Sequence, residues 1–113
     1  MSGADNASYT IRHLTQATQQ QTVSPNDSVI LWESNGFAIY TLPLAAQFPG
    51  RMLSFIQVNG ASGSIQIFAA GANTADGTTL SWNVGGAQAG RMTIVSDGVN
   101  GWWSTNSVNV TRV

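Results

Sequence analysis

The sequence has no lysine and no cysteine, and little charge of either sign. Its 113 residues carry four arginines (Arg12, Arg51, Arg91, Arg112) and five acids (Asp5, Asp27, Glu33, Asp76, Asp97). That is 8% charge, against about 25% in an ordinary soluble domain. Each absence closes off a class of function. Nucleic-acid binding needs several Lys or Arg gathered on one face, and scattered arginines in a chain of net charge −1 do not supply it. Without Cys there is no disulfide framework, thiolate metal site or cysteine nucleophile. Without Lys there is no G-x-x-x-x-G-K-[ST] phosphate loop. No apolar run approaches the ~18 residues of a membrane span, and no charged start with an apolar stretch marks a secretory leader. The expectation is a protein with no cofactor, no nucleic-acid partner and no membrane partner.

What fills the space is polar but uncharged. Ser, Thr, Asn and Gln make up 40 residues and Gly another 12, while 42% of the chain is hydrophobic. That hydrophobic share is too high for a disordered chain, and the length is that of one domain. A solitary protein normally keeps a charged surface for solubility. A surface of hydroxyls, amides and glycine suits a chain packed against copies of itself or against other subunits.

Residues 1–27 differ from the rest. They hold few apolar side chains, a polar run at Gln16–Gln21 and a turn signal at Ser24-Pro25-Asn26-Asp27. The reading is a polar N-terminal arm, unable to fold alone, that contacts a partner. Within it Tyr9–Arg12 alternates like a short strand, and Leu14–Gln21 is the one weak candidate for a helix. From residue 28 to 113 the pattern is β throughout. Ser28–Ser34 and Phe37–Leu42 flank Asn35-Gly36, a strong hairpin signal because both turn residues tolerate positive φ. Arg51–Val58, Ser64–Ala69, Thr79–Val84 (with Leu80, Trp82 and Val84 on one side), Arg91–Ser96, Trp102–Thr105 and Ser107–Val113 follow, separated by Gly- and Asp-Gly-containing turns. About eight short strands with a turn every 8–12 residues predict an all-β, antiparallel sandwich or barrel-like (jelly-roll-like) domain. Ala46–Met52 and Ala87–Met92 echo each other: each runs through Gly-Arg-Met into a strand that ends near Asn-Gly.

Candidate chemistry is sparse. His13 is the single histidine and lies beside Arg12, with no nearby carboxylate in sequence. With Tyr9 and Ile11 these residues form the candidate partner contact of the arm. Asp76 and Asp97 each precede glycine, which reads as turn chemistry, with the carboxylate accepting from the following backbone N–H groups. A catalytic carboxylate pair would need a convergent acidic set that the sequence does not offer, so an enzyme is not expected. Trp32 and Trp82 read as core. Trp102 and Trp103 are adjacent, so on a strand they point to opposite faces. The outward one, with Asn100, Asp97 and Asp76 nearby, is an intersubunit contact or a glycan platform.

The segment Tyr40–Ser104 resembles a module of tailed-bacteriophage virion proteins, found in tail-fibre, head-fibre and capsid-decoration type proteins. The resemblance lies in Thr41-Leu42-Pro43, Gly50-Arg51, the alternating Ile65-Gln66-Ile67, Asp76-Gly77-Thr78, and Ile94–Asn100 ahead of Trp102-Trp103. Gly101 separates Asn100 from the tryptophans, where the module runs straight on, and the repetitive shaft of fibre proteins is lacking. The resemblance implies a virion structural protein assembled in the host cytoplasm. The first expectation is a trimeric capsid decoration or cement protein, partnered by itself and by the major capsid protein or other virion proteins. The alternative is a tail-fibre or baseplate module that binds a host-surface glycan.

Overall fold

The computed structural model describes residues 10–14, 20–22, 27–33, 37–58, 63–85 and 90–113. Among these residues lie eleven strands: β1 (Thr10–Leu14), β2 (Gln20–Thr22), β3 (Asp27–Trp32), β4 (Phe37–Thr41), β5 (Met52–Gln57), β6 (Ser64–Phe68), β7 (Thr74–Ala75), β8 (Trp82–Gly85), β9 (Arg91–Ser96), β10 (Gly101–Val108) and β11 (Val110–Arg112). They form a six-stranded sheet ordered β1-β3-β5-β9-β10-β7 and a five-stranded sheet ordered β11-β8-β6-β4-β2. The two sheets pack face to face around one core.

The all-β expectation holds, but the antiparallel and jelly-roll-like part of it does not. Both sheets are mixed. β1, β3 and β5 run parallel in one, and β2, β4 and β6 run parallel in the other. The first six strands therefore wind as three coils, each laying one strand in each sheet. Parallel neighbours need a long crossover, usually a helix; here the crossover is a strand of the opposite sheet.

This winding overturns the hairpin expected at Asn35-Gly36, itself outside the described residues. A two-residue loop there would pair Trp32 with Ile39 and turn Tyr40 away from the core. Instead β3 and β4 lie in different sheets, and Ile30, Trp32, Ala38 and Tyr40 are all buried. Tyr40 meets Phe55 edge-to-face, ring centroids 5.7 Å apart. Burial of two facing rows outweighs the local turn preference.

The strand read at Tyr9–Arg12 agrees with β1 from Thr10 on, whereas the helix candidate Leu14–Gln21 is not matched at its described residues. Thr10–Leu14 pairs with β3 and Gln20–Thr22 with β4, so these residues are members of the sheets, and Leu14, Gln20 and Gln21 are not helical. The C-terminal strands also differ in their limits. β10 runs unbroken through Trp102 and Ser107, and Asn109 at φ 55° ends it before β11 crosses to the other sheet. Leu80 is half exposed, ahead of β8, rather than in line with buried Trp82 and Val84.

The echoed segments become adjacent antiparallel strands, β5 and β9, with Met52 opposite Val95 and Phe55 opposite Met92. Both bury every second residue from Leu53 and Met92 onward. The likeness stops at their ends, because the chain crosses to the other sheet after β5 but turns back as β10 after β9.

Between these strands sits a buried amide. Gln57 donates its Nε2 to Gly63 O at 2.7 Å and accepts from Gly90 N at 3.0 Å. It ties two connections together, and its room is made by glycine. A Cβ on Gly85, at φ 96°, would stand 2.8 Å from Gln57 Oε1.

Candidate functional site

The two Asp-Gly turns come together around Trp102-Trp103-Ser104. Strand alternation sends Trp102 inward, where it is fully buried and donates Nε1 to Pro43 O at 3.1 Å. Trp103 points outward and is 43% exposed. Its Nε1 donates to Asp97 Oδ2 at 3.0 Å. The ring lies across two glycines: a Cβ on Gly77 would stand 3.5 Å from Cη2, and one on Gly101 would stand 2.9 Å from Nε1. Gly101, set between Asn100 and the tryptophans, therefore makes room for the indole to reach Asp97.

Asp97 matches its sequence reading. Its Oδ1 accepts from Val99 N, Asn100 N and Gly101 N at 2.8, 3.1 and 3.0 Å, which closes the turn from β9 to β10. Asp76 does not match. The Asp76-Gly77 turn is tight, with φ of 52° and 82°, and Ala75 and Thr78 exchange both backbone hydrogen bonds across it. Two positive φ angles are what Asp-Gly tolerates in a hairpin turn. The carboxylate, however, turns to distant strands. Oδ1 accepts from Ser104 N at 2.7 Å, and Oδ2 accepts from Ser104 Oγ at 2.8 Å, Trp82 Nε1 at 2.9 Å and Arg112 Nη1 at 3.1 Å. Arg112 also donates to Thr78 Oγ1 and to the carbonyls of Ala75 and Leu80, and lies 5.2 Å from the Trp82 ring centroid. One aspartate thus grips the residue after Trp103 and the other grips Trp103 itself.

Both carboxyls are held below their ordinary value. For Asp97 the indole of Trp103 contributes most, followed by the backbone donors, and the pKa falls from 3.8 to about 2. For Asp76 partial burial is the largest influence and pushes upward, but the bonds from Ser104 and Trp82 and the charge of Arg112 outweigh it. Both groups are carboxylates at neutral pH.

Three loops brace this end of the sandwich. Asn100 O accepts from Thr74 N at 3.0 Å, Asn73 Oδ1 accepts from Ala45 N at 2.8 Å, and Ser96 Oγ donates to Ala45 O at 2.8 Å. Gly98, at φ 77°, packs against Pro49. The sequence pointed to Asp76, Asp97 and Asn100 near the outward tryptophan, and the structure joins the loops that carry them. It did not place Pro43, Ala45 and Pro49 at this end, nor Arg112, whose four partners lie 32 to 37 residues away. Asn100 is exposed on the turn that Asp97 closes.

The candidate arm residues separate. Tyr9 lies outside the described residues. Ile11, Arg12 and His13 belong to β1; Ile11 is 61% exposed. His13, also exposed, bonds through Nδ1 to Glu33 Oε2, a partner 20 residues away that sequence proximity could not reveal.

Beyond Trp103, the outer face of the six-stranded sheet carries three cross-strand rows. They are Met52–Val95–Trp103, Ile11–Val29–Ser54–Thr93–Asn106 and His13–Leu31–Ile56–Arg91–Val108. Arg91 is the one permanent charge in these rows. Met52 and Val108 are about half exposed. The depression lined by Ser28, Gly50, Arg51 and Met52 holds about 260 Å³, below the ~300–1,000 Å³ of small-molecule sites. Among the described residues no three His, Cys, Asp or Glu gather to hold a metal, and no helix is long and apolar enough to cross a membrane. No protein-family model matches the sequence, and no curated protein matches it either.

Proposed function

We propose that the chain is a structural protein of a tailed-bacteriophage virion, a small subunit that trimerises and decorates or cements the shell. The observation that supports this most is the outer face of the six-stranded sheet. It sets eight apolar side chains in register with one permanent charge among them. A sheet face facing water on one side normally alternates toward polar residues there, and contiguous exposed apolar area marks interaction surface. Packing such faces against copies of the chain removes that area from water without desolvating opposed charges. It also shelters the sheet edges, where unpaired backbone invites uncontrolled pairing. The N-terminal segment, with Tyr9, Ile11, Arg12 and His13, reaches the capsid protein. Each subunit bound across capsomers then stabilises the assembled shell by mass action.

The test uses purified chain and expanded capsids. Full-length protein should co-sediment with the capsids and raise their melting temperature. Deletion of residues 1–9, which spares every described strand, should abolish co-sedimentation and leave the oligomer intact. Undiminished capsid binding by the truncated chain would remove the N-terminal contact from this reading.

A second reading is favoured by Trp103, an exposed indole fixed in place. In it the chain is a receptor- or glycan-binding module of a tail fibre or baseplate. Binding to host cells or to a glycan array tests it.

A further inference from the structure

We infer that the open face of Trp103 is a carbohydrate subsite that takes a neutral pyranose ring. This rests on the second reading above and gives it a place and a ligand class. Three of the four tryptophans, Trp32, Trp82 and Trp102, are at most 1% exposed, so Trp103 alone offers an indole to solvent. An aromatic face suits the C–H side of a pyranose, an apolar patch on an otherwise polar molecule.

The plate is built before any ligand arrives. Gly77 and Gly101 lie beneath the ring, Asp97 fixes its N–H edge, and Asp76 fixes the adjoining Ser104. A side chain already held in one orientation loses little freedom on binding, which is where a small ligand gains most. Apart from Asp97, the rim is polar and uncharged. Thr74 Oγ1 would lie 3.3 Å from a Cβ on Gly101, and the Asn100 side chain is exposed on the same turn. These offer hydroxyl and amide partners for sugar hydroxyls.

The same geometry sets the preference for a neutral sugar. Asp97 Oδ1 already takes three backbone donors and Oδ2 takes the indole N–H, so only Oδ2 keeps an open acceptor position. The carboxylate adds negative charge beside the plate. A uronate or sialate stacked on Trp103 would meet that charge at short range, and no arginine of the rim offsets it. His13 and Glu33, the other facing pair on this sheet, lie toward its opposite edge, on β1 and just after β3.

The experiment titrates the full chain with methyl β-glucopyranoside, methyl α-mannopyranoside, N-acetylglucosamine and glucuronate. It follows acrylamide quenching of tryptophan emission and the four indole N–H signals in 15N–1H spectra. Trp103→Phe assigns the Trp103 signal, so the wild-type chain itself is the reporter and the result does not depend on a variant's folding. The expected result is saturable protection from quenching and movement of the Trp103 signal with at least one neutral sugar. Glucuronate should bind at least tenfold more weakly, and Trp103→Ala at least tenfold more weakly toward the neutral sugar. A neutral sugar that binds while the Trp103 signal stays still overturns the subsite but leaves the second reading standing. Absence of binding to these sugars and to a glycan array overturns both. Protection that grows with protein concentration alone assigns the plate to a second copy of the chain and overturns the sugar.

Discussion

Asp97 gathers four donors and Asp76 four more, and each carboxylate anchors a different tryptophan. The consequence for pH follows from the lowered pKa of Asp97. Its folded value of about 2 lies below the ordinary 3.8, so the stabilisation is complete above about pH 4 and fades as pH falls toward 2. Acrylamide access to Trp103 should therefore rise between pH 4 and pH 2, and Asp97→Asn should remove most of that step. Tryptophan-to-phenylalanine changes give a second expectation. Trp82 and Trp102 spend their indole N–H on Asp76 and Pro43 O, whereas Trp32 Nε1 is buried with no partner among the described residues. Removing a bonded donor strands its acceptor, while removing an unbonded one relieves a desolvated group. Trp32→Phe should thus cost about 1 kcal/mol less than either of the others in urea unfolding. Sequence alone marked Asp76, Asp97, Trp102 and Trp103 as neighbours in kind. It did not say which Trp faces out, because alternation fixes opposition and not direction. It also missed the reach of Asp76, whose partners Ser104 and Arg112 come from strands closed only by the fold.

The positions of β3 to β6 and of β9 were readable because period-two burial is a local signal, as in Leu53-Phe55-Gln57 and Met92-Ile94-Ser96, whereas the two-residue β7 lies in a stretch that reads as turn. Pairing was not readable, because parallel neighbours come from successive coils rather than successive strands. The Asn35-Gly36 signal is a local preference of a few tenths to about 1 kcal/mol. Burying Trp32 and Tyr40 on facing sheets is worth ~1.5–3 kcal/mol for each large side chain, so the coil prevails. β2 escaped notice for a related reason: Gln20-Gln21-Thr22 is a three-residue edge strand with no apolar side chain to mark an alternation. The glycine breaks after β8 acquire a reason in Gln57, whose amide spans Gly63 and Gly90. Gly85→Ala would force a Cβ against that amide at a left-handed φ. It should cost more than about 2 kcal/mol in chemical denaturation. Ala at exposed Gly71, with open space around it but the same sign of φ, should cost only the conformational part, about 1 kcal/mol.

At the scale of the molecule, the scarcity of charge becomes a distribution. Two of the four arginines are tied to site and surface: Arg112 locks the last strand to the Asp76 turn, and Arg91 stands alone in the outer rows. The rest of that face is aliphatic, aromatic, hydroxylic or amide, with His13 at its β1 edge. We propose that this face, its Trp103 end apart, is buried between copies of the chain. Ile56→Glu tests it with little harm to the fold, since residue 56 points outward and stands opposite Arg91, where a carboxylate is compatible. Buried between subunits, the same carboxylate is costly. The most direct measurement is the mass in solution by multi-angle light scattering, on the full chain and on Ile56→Glu, with circular dichroism to confirm that both are folded. The account predicts three chains for the wild type and one for the variant. A wild-type mass of one chain, or a variant that remains trimeric, would contradict it.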